Sequence, residues 1–367
     1  MPSVRPFQIH VSDDDLDDLR SRLARTSFAR PAGPPGTTGF EPSRLRELVQ
    51  RWVGPYDWHA AEARLNEHPQ FLTDDEAPLH FVHLRAHTAS DELPVLLAHG
   101  WPSSFVEMLP LGERLSATRD VVIPSLPGFL FSAPPSGYWT RSGTAETYHR
   151  LMAEHLGYSR YGVFGGDIGG AVAAWMAASH PEAVAALHMI HPPFPASFDD
   201  PPVTDDEQEF LDAEASHDET DGGYSAIMIT RPDTISAALK DSPAGLLAWI
   251  ADKWRDWSDC DGDLSRRLPD DDLLTLATLY WATGSIDTSM LQYVDFDHNP
   301  PRPLIEVPAA FTLSAEPSMA GFPRSIAERC CTDIAGWSEP GRGGHFLAWE
   351  EPDLMAAELT GTLQGRR

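Results

Sequence analysis

Apolar residues recur along this chain at two different spacings, and the switch between them marks where one kind of structure gives way to another. In the first 88 residues the spacing is helical: Leu16, Leu19 and Leu23 follow Ser12, which reads as an N-cap with Asp15 three residues on. Leu45, Leu48 and Trp52 repeat the pattern after Ser43, the predicted cap of a second helix, and a Pro- and Gly-rich stretch at 30–39 separates the two. One strand is predicted here, from Leu79 to Leu84, with His80 and His83 as plain polar positions on it. From residue 93 the pattern changes. Short apolar runs at 94–98, 121–123 and 161–164 alternate with loops and helical segments and lack a clean period of two, as expected of strands buried on both faces.

Near Pro192 that rhythm breaks into an acidic, Pro-rich stretch at 199–209, followed by helical segments to about Tyr293. Ser242 and Pro243 read as the N-cap and first position of one of them, with Leu246, Ile250, Trp254 and Trp257 on one face. A strand resumes at 309–313 and a last helix spans 352–363. The implied organisation is an N-terminal region at 1–88, an α/β core at 89–195, a helical lid at 196–295 and the rest of the core at 296–367.

Composition narrows the function more than the fold. The 367 residues are 42% hydrophobic and 22% charged, ordinary values for a globular chain with a large core. A net charge of −28 repels other polyanions over most directions of approach, so neither nucleic acid nor an anionic membrane is expected as a partner. Of the three thiols, Cys260, Cys330 and Cys331, the adjacent pair is too close for an ordinary relaxed disulfide, which fits a reducing cytoplasm, and no Cys/His spacing resembles a zinc site. The amino terminus lacks a leader pattern, and no run approaches the roughly 18 apolar residues of a membrane span.

The chemistry lies in Tyr161-Gly162-Val163-Phe164-Gly165-Gly166-Asp167-Ile168-Gly169-Gly170. This is a strand, a tight turn and a helix, with Asp167 where a G-x-S-x-G elbow places its nucleophile. A carboxylate attacks saturated carbon to give an ester that water then clears, so an epoxide or haloalkane substrate is expected. His99-Gly100-Trp101-Pro102 follows the first strong buried strand, where this fold supplies half of its oxyanion hole, here the Trp101 N–H; the Ile168 N–H is the other half. Gly343-Gly344-His345-Phe346 lies near the carboxyl terminus, where a histidine base comes last in chain order. For the acid that orients His345, Glu316 follows the 309–313 strand, with Asp295 and Asp333 as competitors.

Together with Pro6-Phe7 and its Leu-rich helix, these motifs resemble the microsomal-type epoxide hydrolases over nearly the whole chain. So do Gly223-Tyr224 leading to Arg231-Pro232-Asp233-Thr234, the stretch 241–246, and Leu279-Tyr280-Trp281-Ala282-Thr283-Gly284. The resemblance implies an α/β-hydrolase fold with a mostly parallel sheet, an inserted helical lid and a helical, meandering N-terminal region. It also implies that Tyr224 and Tyr280 hydrogen-bond the epoxide oxygen and that no metal or organic cofactor takes part; the oligomeric state, a homodimer among the candidates, stays open. Three positions depart from the family pattern. Ile168 replaces a tryptophan common after the nucleophile, Leu130 replaces a common glycine, and the family's acid falls nearer Pro317 or Ser318 than Glu316.

The expected activity is hydrolysis of a bulky, largely apolar epoxide to a vicinal diol through an ester on Asp167, with bacterial relatives pointing to antibiotic pathways, including those of enediynes. A haloalkane dehalogenase shares the ester logic but often solvates the halide with an indole N–H directly after the nucleophile, which Ile168 lacks. A ligand-sensing relative is expected to have lost the nucleophile, base or lid tyrosines, and this chain keeps them.

Overall fold

The runs at 95–98, 121–124 and 161–165 are buried at every position, so each contributes apolar surface to both sides of a central layer. In the computed structural model, which describes residues 3–34, 36–88, 90–199 and 201–366, they are the middle of one sheet. Its strands are β1 (Val4–Phe7), β2 (Gln70–Thr73), β3 (His80–Leu84), β4 (Val95–Ala98), β5 (Val121–Pro124), β6 (Tyr161–Gly165), β7 (Val184–Met189), β8 (Ala309–Thr312) and β9 (Ile334–Ser338). The spatial order is β1-β2-β3-β5-β4-β6-β7-β8-β9. Pairing is parallel from β5 to β9 and antiparallel from β1 through β3 to β5. This is the α/β-hydrolase architecture with a mostly parallel sheet.

Helices α1 (Asp13–Leu23), α2 (Pro42–Val53) and α3 (Trp58–Leu65) precede the core. Ser12 caps α1 as expected, its hydroxyl accepting from the Asp15 N–H at 3.2 Å. The second expectation fails: Glu41 is the N-cap of α2 and Ser43 lies inside it, because Pro42 fits the first helical position with its fixed φ and missing N–H. The N-terminal region also holds three strands instead of one, and they extend the sheet of the core through β3. His80 is fully buried, its ring between Ser125 Oγ at 2.9 Å and Gln70 Oε1 at 3.0 Å.

The core helices that position the site are α4 (Phe105–Leu115), α5 (Arg141–Arg150) and α6 (Asp167–Ser179). Between β7 and β8 the chain is helical: α7 (Asp205–Asp221), α8 (Gly223–Thr230), α9 (Pro232–Asp241), α10 (Pro243–Trp257), α11 (Asp270–Thr283), α12 (Ile286–Ser289) and α13 (Leu291–Val294). Ser242 caps α10, accepting from the Gly245 N–H at 3.0 Å. Helices α14 (Arg324–Glu328), α15 (Leu347–Glu350) and α16 (Pro352–Leu363) complete the fold. Among the described residues no helix is long and apolar enough to cross a membrane.

The N-terminal helices grip the lid. Arg51 pairs bidentately with Asp271 at 2.7 and 2.9 Å, the Trp52 indole donates to Thr278 Oγ1 at 3.0 Å, and Tyr56 bonds Thr275 Oγ1 at 3.0 Å. Trp52 and Thr278 are both buried, so removing the acceptor strands an N–H away from water. Thr278→Val is expected to lower stability by about 1–3 kcal/mol. Urea unfolding checks this; an unchanged midpoint would show that the indole finds another acceptor.

Candidate active site

The nucleophile position begins with backbone geometry. Gly166 ends the extended segment after β6, and Asp167 opens α6 with φ of 52°, a left-handed conformation rare for a residue with a Cβ. That turn lifts the carboxylate off the C-terminal end of the sheet. Trp101, just past β4, donates its N–H to Asp167 Oδ1 at 2.8 Å. Gly100 is needed beside it, because a Cβ there would overlap the Asp167 carboxylate. His99 sets this loop: its Nδ1 bonds the Gly100 carbonyl and its Nε2 accepts from the Leu126 N–H, each at 3.0 Å. Burial drives the His99 pKa down to about 4, so the ring stays neutral and both bonds persist.

His345 faces the other carboxylate oxygen, with Nε2 at 3.7 Å from Asp167 Oδ2. Its Nδ1 lies 3.0 Å from Glu316 Oε2, so Glu316 is the acid that reaches the histidine. Asp295 instead accepts from the Trp139 N–H at 2.7 Å, and the Asp333 carbonyl accepts from Ala309 in the sheet. Ser318 donates to Glu316 Oε1 at 2.7 Å and so braces the acid. The loop carrying His345 is pinned by its own N–H on the Trp257 carbonyl at 2.8 Å. Gly344 permits that approach, since a Cβ would overlap the Trp257 carbonyl and Asp259.

The two predicted lid tyrosines part company. Tyr224, at the start of α8, lines the cavity over Asp167 and stacks on Trp101, with centroids 5.4 Å apart and planes 6° from parallel. Tyr280 is fully buried on α11, and its hydroxyl donates to the Ser103 carbonyl at 2.7 Å. In this structure that proton goes to the backbone and not into the cavity, which does not fit the expected role of Tyr280. Tyr293, on α13, is the phenol beside Tyr224: its ring meets that of Tyr224 edge-on at 6.2 Å and the two phenols interact through their hydroxyls. Burial, then the neighbouring charge of Asp167, raises the pKa of Tyr224; burial, then Tyr224 and Asp167, raises that of Tyr293. Both therefore remain proton donors well above neutral pH.

The cavity encloses about 440 Å³. Asp167, Tyr224, Trp257, Glu316 and His345 form its floor and walls, and Glu214, Asp218 and Asp221 of α7 face it from the lid. Five of the lining residues are carboxylic acids, which is not the apolar lining expected of the pocket.

The epoxide hydrolase N-terminus family matches residues 4–108, and the alpha/beta hydrolase fold family matches residues 94–217. A protein of Stigmatella aurantiaca assigned as an epoxide hydrolase is 34% identical over 372 residues, spanning 97% of this chain and 84% of that protein. The chain belongs to the epoxide hydrolase family. Among solved structures, the juvenile hormone epoxide hydrolase of the silkworm Bombyx mori aligns with a TM-score of 0.89 at 29% identity, over 99% of this chain and 94% of that one. The Aspergillus niger epoxide hydrolase aligns with a TM-score of 0.84 at 30% identity, over 100% of this chain and 97% of that one.

Three residues of this hydrolase site carry no sequence signal. Tyr293 sits in a four-residue helix that no motif marks. His191, just past β7, places Nε2 3.0 Å from Ser314 Oγ and 3.6 Å from Glu316 Oε1. Glu107 is buried in the first turn of α4, where loss of hydration pushes its carboxyl up to about 7. Among the described residues, His191, Glu316 and His345 are the only group with metal-ligand spacing, their ligand atoms lying within 4.8 Å of one another. Glu316 already bonds His345 Nδ1, which fits a triad. Of the departures from the family pattern, Leu130 has φ of 48°, a conformation that explains why glycine suits its position. Ile168 presents a buried side chain directly after Asp167, at a helix start where N–H groups lack intrahelical partners.

Burial by itself would strip the proton from His345. The charge and hydrogen bond of Glu316, then the charge of Asp167, outweigh it and hold the imidazole up at about 9. Because this lies above the unfolded value of about 6.5, His345 contributes stability that is complete below about pH 6.5. That contribution is lost as pH rises through about 9. In Glu316→Gln the alkaline fall in thermal midpoint is expected to flatten relative to the native protein. Thermal unfolding across pH measures it, and an unaltered profile would assign the titration to another group.

Proposed function

We propose that this hydrolase opens its epoxide in two steps through an ester on Asp167. The line Trp101 N–H, Asp167, His345, Glu316 carries the reading, because it binds one nucleophile oxygen, points a base at the other and anchors that base. An Asp167 oxygen attacks a ring carbon, the C–O bond breaks, and the electron pair left on oxygen takes a proton from the Tyr224 and Tyr293 phenols. His345 then removes a proton from water, whose oxygen attacks the ester carbonyl carbon of Asp167. The Trp101 and Ile168 N–H groups hold the resulting oxyanion. Collapse expels the diol, with the proton on His345 going to its leaving oxygen, and the proton left on the regenerated Asp167 carboxyl returns to the phenolate, restoring nucleophile and acid. Alkylation also cancels the Asp167 charge, one of the two that hold the His345 proton, so ester formation itself readies the base.

The cavity volume and the Tyr224 and Trp257 walls support a bulky substrate. The five acids do not support a largely apolar one, and a departing halide would meet carboxylates there. A cytoplasmic setting, a homodimer and a place in antibiotic biosynthesis belong to the same proposal. The three cysteines, all buried and free, support the first, and the family resemblance supports the third.

Single turnover in heavy-oxygen water is expected to label Asp167, since water attacks the carboxyl carbon. Label found only in the first-turnover diol would mean direct attack by water on the epoxide. His345→Gln is expected to accumulate the ester, seen as an intact-mass increase equal to the substrate. For the acids, Tyr224→Phe/Tyr293→Phe is expected to slow ester formation on the order of 10²–10⁴-fold, while Tyr280→Phe leaves it within about threefold of native. Pre-steady-state alkylation rates decide between the pairs; a larger loss at Tyr280 than at Tyr293 would reverse the assignment.

A further inference from the structure

Pro192 and Pro193 follow His191 directly, and a proline fixes its own φ and restricts the residue before it to extended backbone. His191 therefore stands on a stiff platform just past the end of β7, with its side chain only 17% exposed. The two-step reaction gives it no part. A side chain needed there only to fill space would be apolar, because a buried imidazole loses hydration at its nitrogens unless protein groups replace the water.

What faces His191 is the acid and the base together. Its Nε2 lies 3.0 Å from Ser314 Oγ and 3.6 Å from Glu316 Oε1, and its ring meets that of His345 at 5.5 Å with planes 58° apart. A lone pair on Nε2 would be repelled by the Glu316 carboxylate, so the tautomer with its hydrogen on Nε2 is favoured and donates to Ser314 Oγ. Burial lowers the His191 pKa, with the Glu316 charge opposing it only in part, so near neutral pH the ring is uncharged and does not compete with His345 as a second cation. Ser314 Oγ also accepts from the Glu316 N–H at 3.4 Å, which carries the contact from His191 to the backbone of the acid. Ser318 donates to Glu316 Oε1 at 2.7 Å, and Oε2 is left to His345 Nδ1 at 3.0 Å. Glu316 lies out of register with the family's acid, so the neighbours that aim its carboxylate are ones this chain supplies.

We propose that His191 is a positioning residue for the second half-reaction: through Ser314 and Glu316 it holds the acid in line with His345, and so orients the base toward its water. The attack of Asp167 on the epoxide does not use the acid. Loss of His191 therefore falls on ester hydrolysis. The inference rests on the two-step reading of Asp167 and His345.

Styrene oxide is the probe, and the readout is the ratio of the ester-hydrolysis to the alkylation rate constant, taken from pre-steady-state kinetics. His191→Leu, which fills the space without a donor, is expected to lower that ratio roughly ten- to a hundredfold. His191→Gln, whose amide N–H can reach the region of Nε2, is expected to recover most of it. Ser314→Ala is expected to lower the ratio as well, and combining it with His191→Leu is expected to cost less than the two separate losses together, since one line of contacts carries both. A ratio unchanged in His191→Leu overturns the inference, and so does an equal fall in both rate constants, which marks a general loss of packing. A glutamine variant as impaired as the leucine variant rules out the donor role. If His191→Leu does not fold, an unchanged ratio in Ser314→Ala overturns the inference by itself. Turnover of styrene oxide by the native enzyme with no ester on Asp167 overturns the two-step reading, and this inference with it.

Discussion

The left-handed turn at Asp167 is the constraint around which the site is built. An L-residue in that region gives up on the order of 1–2 kcal/mol, and it persists only where its surroundings leave no alternative. Those surroundings are visible: a buried strand before it, a buried helix after it, Gly100 leaving room for the carboxylate and the Trp101 N–H binding one oxygen. Four other members of the site arrive at the same end of the parallel strands. Trp101 follows β4, His191 follows β7, Glu316 follows β8 and His345 follows β9. The crevice beyond the carboxyl ends of such strands is where an open α/β sheet binds ligands.

The second theme is accumulated negative charge. Like carboxylates in one cavity disfavour one another, so their retention needs compensation that comes and goes with the reaction. Glu316 is held well below the usual carboxylate range, burial being outweighed by His191 and His345 on either side. His345 sits between two carboxylates, Asp167 and Glu316, whose charges favour its protonated form. A protein of net charge −28 carries exposed acids in many places, and Asp218 is one of them, while Glu214 and Asp221 are partly buried beside it at the cavity over Asp167.

The lid depends on the N-terminal region as much as on the core. Helices α2 and α3 bind α11 through Arg51, Trp52 and Tyr56, and α11 in turn ties itself to the loop after β4 through Tyr280 and the Ser103 carbonyl. Tyr280 thus ties the lid to the loop after β4. Tyr293, on a short helix beyond the α11 turn, is left facing Tyr224.

From sequence alone, local chemistry was readable wherever it is written in contiguous residues. The strand–turn–helix around Asp167, the His99–Pro102 loop, the two glycines before His345 and the helical break between two runs of strands all constrain their own backbone, and the structure keeps each of them. What adjacency does not encode had to come from the tertiary fold. Strands β1, β2 and β9 are short edge or near-edge segments made by partners elsewhere in the chain, and β7 is Ala-rich enough to lack a strand signature. Glu316 and His345 meet because two strand ends are neighbours, which placed the acid where a simple register did not. That Tyr280 faces Ser103 and not the cavity follows from the packing of α11, since one residue of a helix faces a cavity only if packing on its other faces says so. Periodicity names the faces of a helix, but only the packed neighbours decide which face meets the nucleophile.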